Sequence, residues 1–295
     1  MSRKTQYFLA AFGASASWAL GVVLIKFLSA EYTVNQQNFI RYFFAGLFLS
    51  IVYRLSRSEN PYNVERFKRA LLPSVAAFFF QLLATTGVYM TKASLAAFML
   101  RLNVVVLAVL VFIVYRDERR IISDPLFILS LALGLIGVYG LTMKGGVEGF
   151  SIDIGVVLVG IAACMWAVFT VLIKFFLRNE DPLAYSSAVY LMAGMMFLPL
   201  ALFDSIGHGF QSDVLVLGML LLSGIISIGL GNWFNMVSVK GLGAMLPAML
   251  QMITPFLTVV YSYILLGERL SGTELLFGVL IIISSLISLK YAVRD

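Results

Sequence analysis

Long apolar runs alternate with short polar gaps along this chain. A run of about 20 apolar residues, coiled as an α-helix, spans the hydrocarbon core of a lipid bilayer. The pattern predicts ten such helices, at residues 6–28, 37–54, 70–91, 93–115, 125–143, 153–177, 184–204, 213–238, 242–266 and 273–292. We expect the first run to be a helix of the fold rather than a cleaved signal segment, because a near copy of it recurs in the middle of the chain.

The composition indicates an all-α membrane protein. Of 295 residues, 61% are hydrophobic and 12% are charged, whereas soluble domains average about half apolar and about a quarter charged. One cysteine, Cys164, and one histidine, His208, leave no set for a disulfide framework or a metal site, so we expect no metal and no cofactor. The net charge of +6 forms no basic stripe interleaved with aromatic residues, so we expect no nucleic-acid partner.

The basic residues in the gaps predict an orientation. Lysine and arginine accumulate on the cytoplasmic side of membrane proteins. With the N-terminus inside, fifteen of them fall inside, and only Lys26, Arg41, Lys92, Lys144 and Arg269 fall outside. We therefore expect a multi-pass protein of the inner (plasma) membrane, with both termini cytoplasmic.

The two halves of the chain resemble each other. Residues 17–27 are similar to residues 165–175. At a spacing of 148 positions, the matched pairs are Trp18 with Trp166, Lys26 with Lys174 and Lys92 with Lys240. The duplication predicts two five-helix units, residues 1–147 and 148–295. Because five is odd, the second unit enters the membrane from the opposite face. We expect inverted repeats around a central cavity, an arrangement typical of alternating-access transporters.

Polar side chains within the apolar runs mark the candidate cavity. An arginine at the bilayer centre costs about 2.5–3.5 kcal/mol on insertion scales, so it calls for a functional explanation. Arg101 lies eight residues into the fourth predicted helix, roughly 12 Å along its axis. There it either faces an aqueous substrate cavity or bonds backbone carbonyls between helices. Arg41, in the first turns of the second helix, is within reach of the interface.

Neutral polar and aromatic residues extend this candidate site. Each amide alone is typical of hydrogen bonding between helices, and together they suggest a polar lining. The two repeat-related tryptophans lie mid-helix and are candidates for a cavity wall. The predicted substrate-binding residues are Arg101, Asn103, Trp18, Trp166, Gln81, Asn232, Asn235, Gln251 and Arg41. Pro255, in the middle of the ninth predicted helix, is a candidate hinge because proline removes a helical hydrogen bond.

Acidic residues fall at the ends of the predicted helices and not clearly within them. A conventional proton relay therefore has no obvious residue. A buried arginine without an acidic partner suggests a bound carboxylate or phosphate, whose oxygens match the guanidinium group bidentately. The runs supply no Ser/His/Asp, Cys/His or two-carboxylate set, so we expect that the protein is not an enzyme.

These features resemble the EamA-type branch of the drug/metabolite transporter superfamily. The resemblance rests on the repeated tryptophan and lysine, on Arg41, and on Pro255 followed thirteen residues later by Glu268 within Leu-Gly-Glu-Arg-Leu. It implies a basket of helices around a cavity, built from helices 1–4 and 6–9, with helices 5 and 10 peripheral. The family moves amino acids, vitamins, nucleotide-like metabolites and drugs, most often outward. The fourth helix departs from the pattern, because it lacks an equivalent of Pro255 and carries Arg101 and Asn103 instead.

Together, the residues and the resemblance lead to one expected function and two alternatives. We expect an alternating-access exporter or facilitator of a small, carboxylate-bearing, amino-acid-like metabolite, with Arg101 holding the anion. Uptake of a vitamin or another planar heterocycle is the second transport interpretation. A receptor or assembly subunit, which binds without flux, is the alternative outside transport. The expected partners are a small-molecule substrate and the lipid bilayer. The oligomeric state stays open, and a monomer is compatible with the sequence.

Overall fold

The computed structural model describes residues 3–116, 124–142, 154–209 and 213–267, together with scattered positions between 272 and 287. Within these ranges the chain forms helices joined by short loops. Eight helical stretches are long and apolar enough to cross a membrane, and the helix that begins at Pro125 contains a shorter apolar stretch, Pro125–Gly137. The protein is therefore a multi-pass membrane protein.

Nine of the ten predicted runs coincide with helical segments of the described chain. The α-helices, in chain order, are α1 (Arg3–Phe27), α2 (Val34–Arg57), α3 (Val64–Met90), α4 (Ala93–Met99), α5 (Asn103–Val114), α6 (Pro125–Thr142), α7 (Ile154–Phe176), α8 (Pro182–His208), α9 (Val214–Ser223), α10 (Gly231–Leu242), α11 (Met245–Leu250) and α12 (Thr254–Leu266). The tenth predicted helix, at 273–292, lies mostly outside the described residues, as do Lys144, Glu268 and Arg269.

Three of the predicted runs are interrupted helices. A 3₁₀ turn at Leu100–Leu102 separates α4 from α5, and another at Gln251–Ile253 separates α11 from α12. Between α9 and α10 lies a π-helical stretch, Gly224–Leu230. Pro255 is the second residue of α12, where a missing N–H is tolerated. Interruptions of this kind are frequent at functional sites and hinges.

Side-chain caps fix where several helices begin. At the start of α2, Thr33 accepts a hydrogen bond from the Gln36 N–H, and the Gln36 side chain accepts one from the Thr33 N–H. This reciprocal pair satisfies two N–H groups that the first helical turn leaves without partners. At the corresponding place in the second half, Asp181 accepts hydrogen bonds from the N–H groups of Leu183 and Ala184 and so begins α8.

Helices α2 and α8 pack against each other in opposite directions. Thr33 donates a hydrogen bond to Asp204 near one end, and Arg57 pairs with Asp181 at the other end. Between them the backbones touch at two glycines. A Cβ on Gly46 would lie 2.5 Å from the amide nitrogen of Leu191, and one on Gly194 would lie 2.6 Å from that of Phe43. The two glycines are 148 positions apart, and so are their two neighbours. Each contact is therefore the copy of the other under the sequence repeat.

Glycines also lie at other long contacts between the halves. Gly21 faces Ser227 and Gly241 faces Tyr7, so α1 runs antiparallel to the π-helical stretch and α10. Gly87 of α3 approaches the backbone of α7 near Val159. Small residues at these positions let helix backbones come close, which is how helices associate in lipid. The contacts hold α1, α2 and α3 against the second half and enclose the space between them.

Candidate functional site

A cavity of about 70 Å³ lies where the two halves meet. Six of the nine predicted site residues line it: Trp18, Arg41, Gln81, Arg101, Trp166 and Asn232. Pockets that hold metabolite-sized ligands usually measure about 300 Å³ or more. The described conformation therefore holds no more than a very small molecule, and a metabolite needs the helices around the cavity to move apart.

Arg101 joins the two interrupted helices across the cavity. It lies in the 3₁₀ turn between α4 and α5, it is 6% exposed, and its Nη1 donates a 3.0 Å hydrogen bond to the carbonyl oxygen of Gln251. In a continuous helix that carbonyl would accept from the N–H four residues later, but position 255 is a proline. The guanidinium group thus both lines the cavity and bonds a backbone carbonyl. That it binds a substrate stays a prediction.

Arg41 is buried on the α2 side of the same cavity. Its side chain is 1% exposed, and its Nη2 donates a 2.7 Å hydrogen bond to the hydroxyl of Ser227. Ser227 in turn donates to the carbonyl of Ser223, so its oxygen is oriented to accept. A Cβ on Gly21 would lie 2.4 Å from the Ser227 Cβ, so the absence of a side chain there makes room for this contact. Arg41 is therefore a cavity residue and not an interfacial one.

The cavity carries positive charge without a described counter-charge. The ion pairs of the described residues join Arg57, Arg66 and Arg69 to acidic residues near one end of the bundle, and none of them includes Arg41 or Arg101. No aspartate or glutamate is among the described residues that line the cavity. In that part of the chain, Nε and Nη1 of Arg41 and Nε of Arg101 are buried without a hydrogen-bond partner. Two buried guanidinium groups of this kind favour an anionic occupant, because an unpaired charge in a low-dielectric environment is costly.

Aromatic rings form one wall of the cavity. The rings of Trp18 and Trp166, which the repeat relates, meet edge to face with centroids 5.0 Å apart. Phe80 packs 4.7 Å from Trp166, and the Trp18 indole N–H donates to Asn232. From this wall the lining extends along α1 and α3 towards their C-terminal ends. No described residue of α1 before Trp18 or of α3 before Phe80 lines the cavity, so the rings lie at its end towards the N-termini of these two helices.

Three predicted site residues lie beside the cavity and do not line it. The Gln251 side chain donates a 2.9 Å hydrogen bond to Asn235, and both residues are buried. Asn103 is buried at the start of α5, and its Oδ1 has no partner among the described residues. Contact between these side chains and a substrate therefore requires a wider cavity, and their role in binding stays a prediction.

The structure adds lining residues that are not among the predicted substrate-binding residues. Ser227 and Thr254 contribute hydroxyl groups, and Gly21 contributes backbone surface. Ser223, Ser227 and Gly231 recur at a spacing of four residues, which by itself is the common pattern of helix packing in membranes. Its position in the cavity lining and its hydrogen bond from Arg41 distinguish Ser227 from the other small residues of this row.

Comparisons with known proteins find a matching family, similar sequences and a similar fold. The EamA-like transporter family matches residues 5–143 and 153–290 of the chain. An uncharacterized transporter of Haemophilus influenzae is 22% identical over 292 residues, which cover 92% of this chain and 93% of that protein. An uncharacterized transporter of Methanothermobacter thermautotrophicus is 27% identical over 269 residues, which cover 82% and 75%. A solved crystal structure has the same fold, with a TM-score of 0.78 at 15% identity and with 98% of each chain covered.

Proposed function

The chain belongs to the EamA-like transporter family and is a membrane transporter, and on this premise we propose that it carries a small carboxylate-bearing metabolite by alternating access. The observation that carries the substrate assignment is the pair of buried arginines, which share a cavity whose described lining holds no acidic residue. A guanidinium group binds a carboxylate through two parallel hydrogen bonds. In this proposal Arg101 binds the carboxylate. When substrate is absent, the guanidinium group donates a hydrogen bond to the carbonyl of Gln251.

We infer that residues 1–147 and 148–295 are two inverted five-helix copies. The antiparallel packing of α2 on α8 supports this, because these helices occupy the same place in the two halves. The reciprocal contacts of Gly46 and Gly194 also support it, since a two-fold axis generates pairs of this kind. Two copies that exchange conformations produce two states of similar energy, each open to one side.

The contacts at the two ends of the bundle indicate to which side of the membrane this conformation is closed. Near one end, the carboxylate of Glu180 pairs with Arg66 at 2.8 Å and with Arg69 at 3.6 Å. Basic residues that predict the cytoplasmic side lie near this end, among them Arg57, Arg66, Arg69 and Lys240. The cavity extends from the tryptophan wall in the other direction. We propose that the described state is closed towards the cytoplasm and that both termini are cytoplasmic, in an inner (plasma) membrane.

The residues that line the cavity also indicate how transport is driven. Among the described lining residues, no carboxylate or histidine is available to relay protons. Facilitated diffusion, exchange or export driven by the substrate gradient therefore fits the cavity better than proton-coupled accumulation. An amino-acid-like metabolite is the proposed cargo, because its carboxylate fits Arg101 and its side chain fits the aromatic wall.

Flux measured in liposomes tests this function. Purified protein is reconstituted and assayed with labelled amino acids and short monocarboxylates, beside the variants Arg101→Ala and Arg57→Ala. Arg57 is an exposed arginine at the end of α2 and serves as the matched control. We expect saturable flux that Arg101→Ala abolishes and Arg57→Ala preserves. Full flux and affinity in Arg101→Ala would remove the anion assignment, and saturable binding without flux would indicate a receptor.

A planar heterocyclic substrate is the second candidate. The edge-to-face tryptophans and Phe80 favour it, because flat rings stack on aromatic side chains. A neutral heterocycle that quenches tryptophan fluorescence saturably, and that is carried equally well by Arg101→Ala, would select this candidate over the carboxylate.

A further inference from the structure

We propose that the substrate is a small dicarboxylate, with one carboxylate bound by Arg101 and the other by Arg41. This inference rests on the proposed transport function and deepens it by naming the class of substrate. The charge of the cavity, the separate hydrogen-bond partners of the two guanidinium groups and the apolar part of the cavity lining support it.

The charge of the cavity favours two negative charges on one ligand. Two arginines line the space, and no aspartate or glutamate is among its described lining residues. A monocarboxylate would neutralise one guanidinium group and leave the other without a counter-ion in a buried site, an arrangement that is costly. A dicarboxylate neutralises both. Each of its carboxylates forms charge-assisted hydrogen bonds, which are stronger than those between neutral groups.

The guanidinium group of Arg41 is fixed in position and has nitrogens available to bind an anion. The Ser227 hydroxyl fixes one end of its guanidinium group at 2.7 Å. Nε and Nη1 have no hydrogen-bond partner among the described residues, although the side chain is 1% exposed. Buried polar groups normally find partners, so an arginine with two unsatisfied nitrogens calls for an explanation. A carboxylate that enters the widened cavity supplies the acceptors that Arg41 lacks.

The two arginines belong to different parts of the cavity wall. Arg41 lies on α2 and bonds the π-helical stretch, whereas Arg101 lies in the turn after α4 and bonds the turn before α12. In this proposal each guanidinium group binds its own oxyanion from its own anchor, whereas a single phosphate would need both groups to converge on one centre. This arrangement favours a dicarboxylate over a phosphate ester.

Apart from Arg41 and Arg101 and the polar side chains of Gln81, Ser227, Asn232 and Thr254, the cavity lining is largely apolar. Val22, Ala84 and Ile228 line the cavity together with Trp18 and Trp166. Such a surface suits a short hydrocarbon spacer, because it offers the spacer dispersion contacts and requires no hydrogen bonds from it. A four- or five-carbon dicarboxylate combines this spacer with a carboxylate at each end.

Competition in liposomes tests the proposal. The probes are succinate, butyrate as the monocarboxylate of equal carbon number, and inorganic phosphate, each with the wild-type protein. We expect succinate to bind more tightly than butyrate by about tenfold or more, as an added charge-assisted hydrogen-bonding group allows. In Arg41→Gln we expect this preference to fall close to unity, because the variant weakens succinate binding much more than butyrate binding. Arg57→Gln, the exposed control, should keep the wild-type preference.

The outcomes separate this inference from the function on which it rests. Equal binding of succinate and butyrate, with butyrate flux that needs Arg101 only, would overturn the dicarboxylate and leave the carboxylate transporter intact. Phosphate that binds more tightly than succinate would also overturn it. Absence of saturable flux for every anion would remove the proposed carboxylate transport and this inference together. If Arg41→Gln fails to fold, the preference of the wild-type protein decides alone.

Discussion

Arg101 and Gln251 meet across the centre of the molecule, where the guanidinium group of one donates a 3.0 Å hydrogen bond to the backbone carbonyl of the other. The two residues lie in the 3₁₀ turns that interrupt two helices, one in each half of the chain. The Gln251 carbonyl also accepts a 2.7 Å hydrogen bond from the Thr254 hydroxyl. A backbone break in one half is therefore satisfied by a side chain of the other half, which links their conformations.

Replacement of Pro255 should weaken this link. In Pro255→Ala the restored N–H is able to bond the carbonyl of Gln251, which favours a continuous helix and competes with Arg101. We expect flux to fall several-fold while the protein keeps its fold, because the turn between α11 and α12 becomes stiffer. Flux in liposomes and thermal unfolding in detergent measure the two effects.

Pro247→Ala is the matched control for this experiment. Pro247 lies within α11, on the other side of the turn. If both alanine variants slow flux equally, the effect is general to proline replacement and the link between Arg101 and Gln251 does not explain it.

The two glycine contacts between α2 and α8, at Gly46 and Gly194, should be equally sensitive to an added methyl group. An alanine Cβ at Gly46 would lie 2.5 Å from the backbone nitrogen of Leu191, and one at Gly194 would lie 2.6 Å from that of Phe43. Backbone atoms cannot rotate away, so we expect each variant to lose about 1–3 kcal/mol of stability, as overpacked cores do. Unfolding in detergent measures the loss.

Gly218→Ala provides the reference, because no atom lies within 4 Å of a Cβ at this position of α9. It should change stability by less than about 1 kcal/mol, in the favourable direction if helix propensity dominates. A loss in Gly194→Ala much smaller than that in Gly46→Ala would argue against a two-fold relation between the halves.

Glu180 should contribute more to stability than its sequence position at a helix end suggests. Its side chain is 9% exposed and pairs with Arg66, which is 11% exposed. Removal of one partner from a buried ion pair leaves the other charge uncompensated, at a cost of about 3–5 kcal/mol for full burial. We expect Glu180→Gln to lower the free energy of unfolding by about 2–3 kcal/mol.

Glu65→Gln serves as the comparison for Glu180→Gln. Glu65 pairs with Arg69 on the surface, where its side chain is 63% exposed. Exposed pairs contribute about 0–1 kcal/mol. Denaturant unfolding at low and high salt should show a large, weakly salt-dependent loss for Glu180→Gln and little change for Glu65→Gln. Equal losses of stability in the two variants would contradict the conclusion that the ion pair of Glu180 contributes more than an exposed one.

A repeat-related pair of lysines should bias the two transport states in opposite directions. Lys240 donates a hydrogen bond to the carbonyl of Glu180 at the end that we propose is closed. The residues 148 positions earlier are Lys92 and Tyr32. Lys92 is exposed, and the Tyr32 carbonyl accepts from the Tyr89 hydroxyl. If the halves exchange conformations, the contact of Lys92 with Tyr32 forms in the opposite state.

Cysteine labelling measures this bias. Ala97 lines the cavity, so Ala97→Cys in a Cys164→Ser background reports access from each face with a membrane-impermeant maleimide. We expect Lys240→Ala to reduce labelling from the face open in the described state, because it destabilises that state. Lys92→Ala should increase it. A change of the same sign in both variants would contradict the exchange of conformations.

The sequence by itself determined the membrane helices and several of the residues that matter. An apolar run long enough to cross a bilayer must satisfy its backbone internally, so the hydropathy pattern leads directly to the helices. The repeat identified Trp18 and Trp166, which meet in the structure. Depth along a helix identified Arg101, because a charge so far from the interface needs a partner or an aqueous space.

Only the tertiary structure decided which faces of the helices point at the cavity. Arg41 is within reach of the interface by sequence position, yet packing against Ser227 turns it inward, whereas Asn103, Asn235 and Gln251 are buried beside the cavity. The break at Leu100–Leu102 contains no proline from which it could be predicted. The rotation of a helix and the places where it breaks depend on the neighbours it packs against, and hydrophobicity along a single run does not record them.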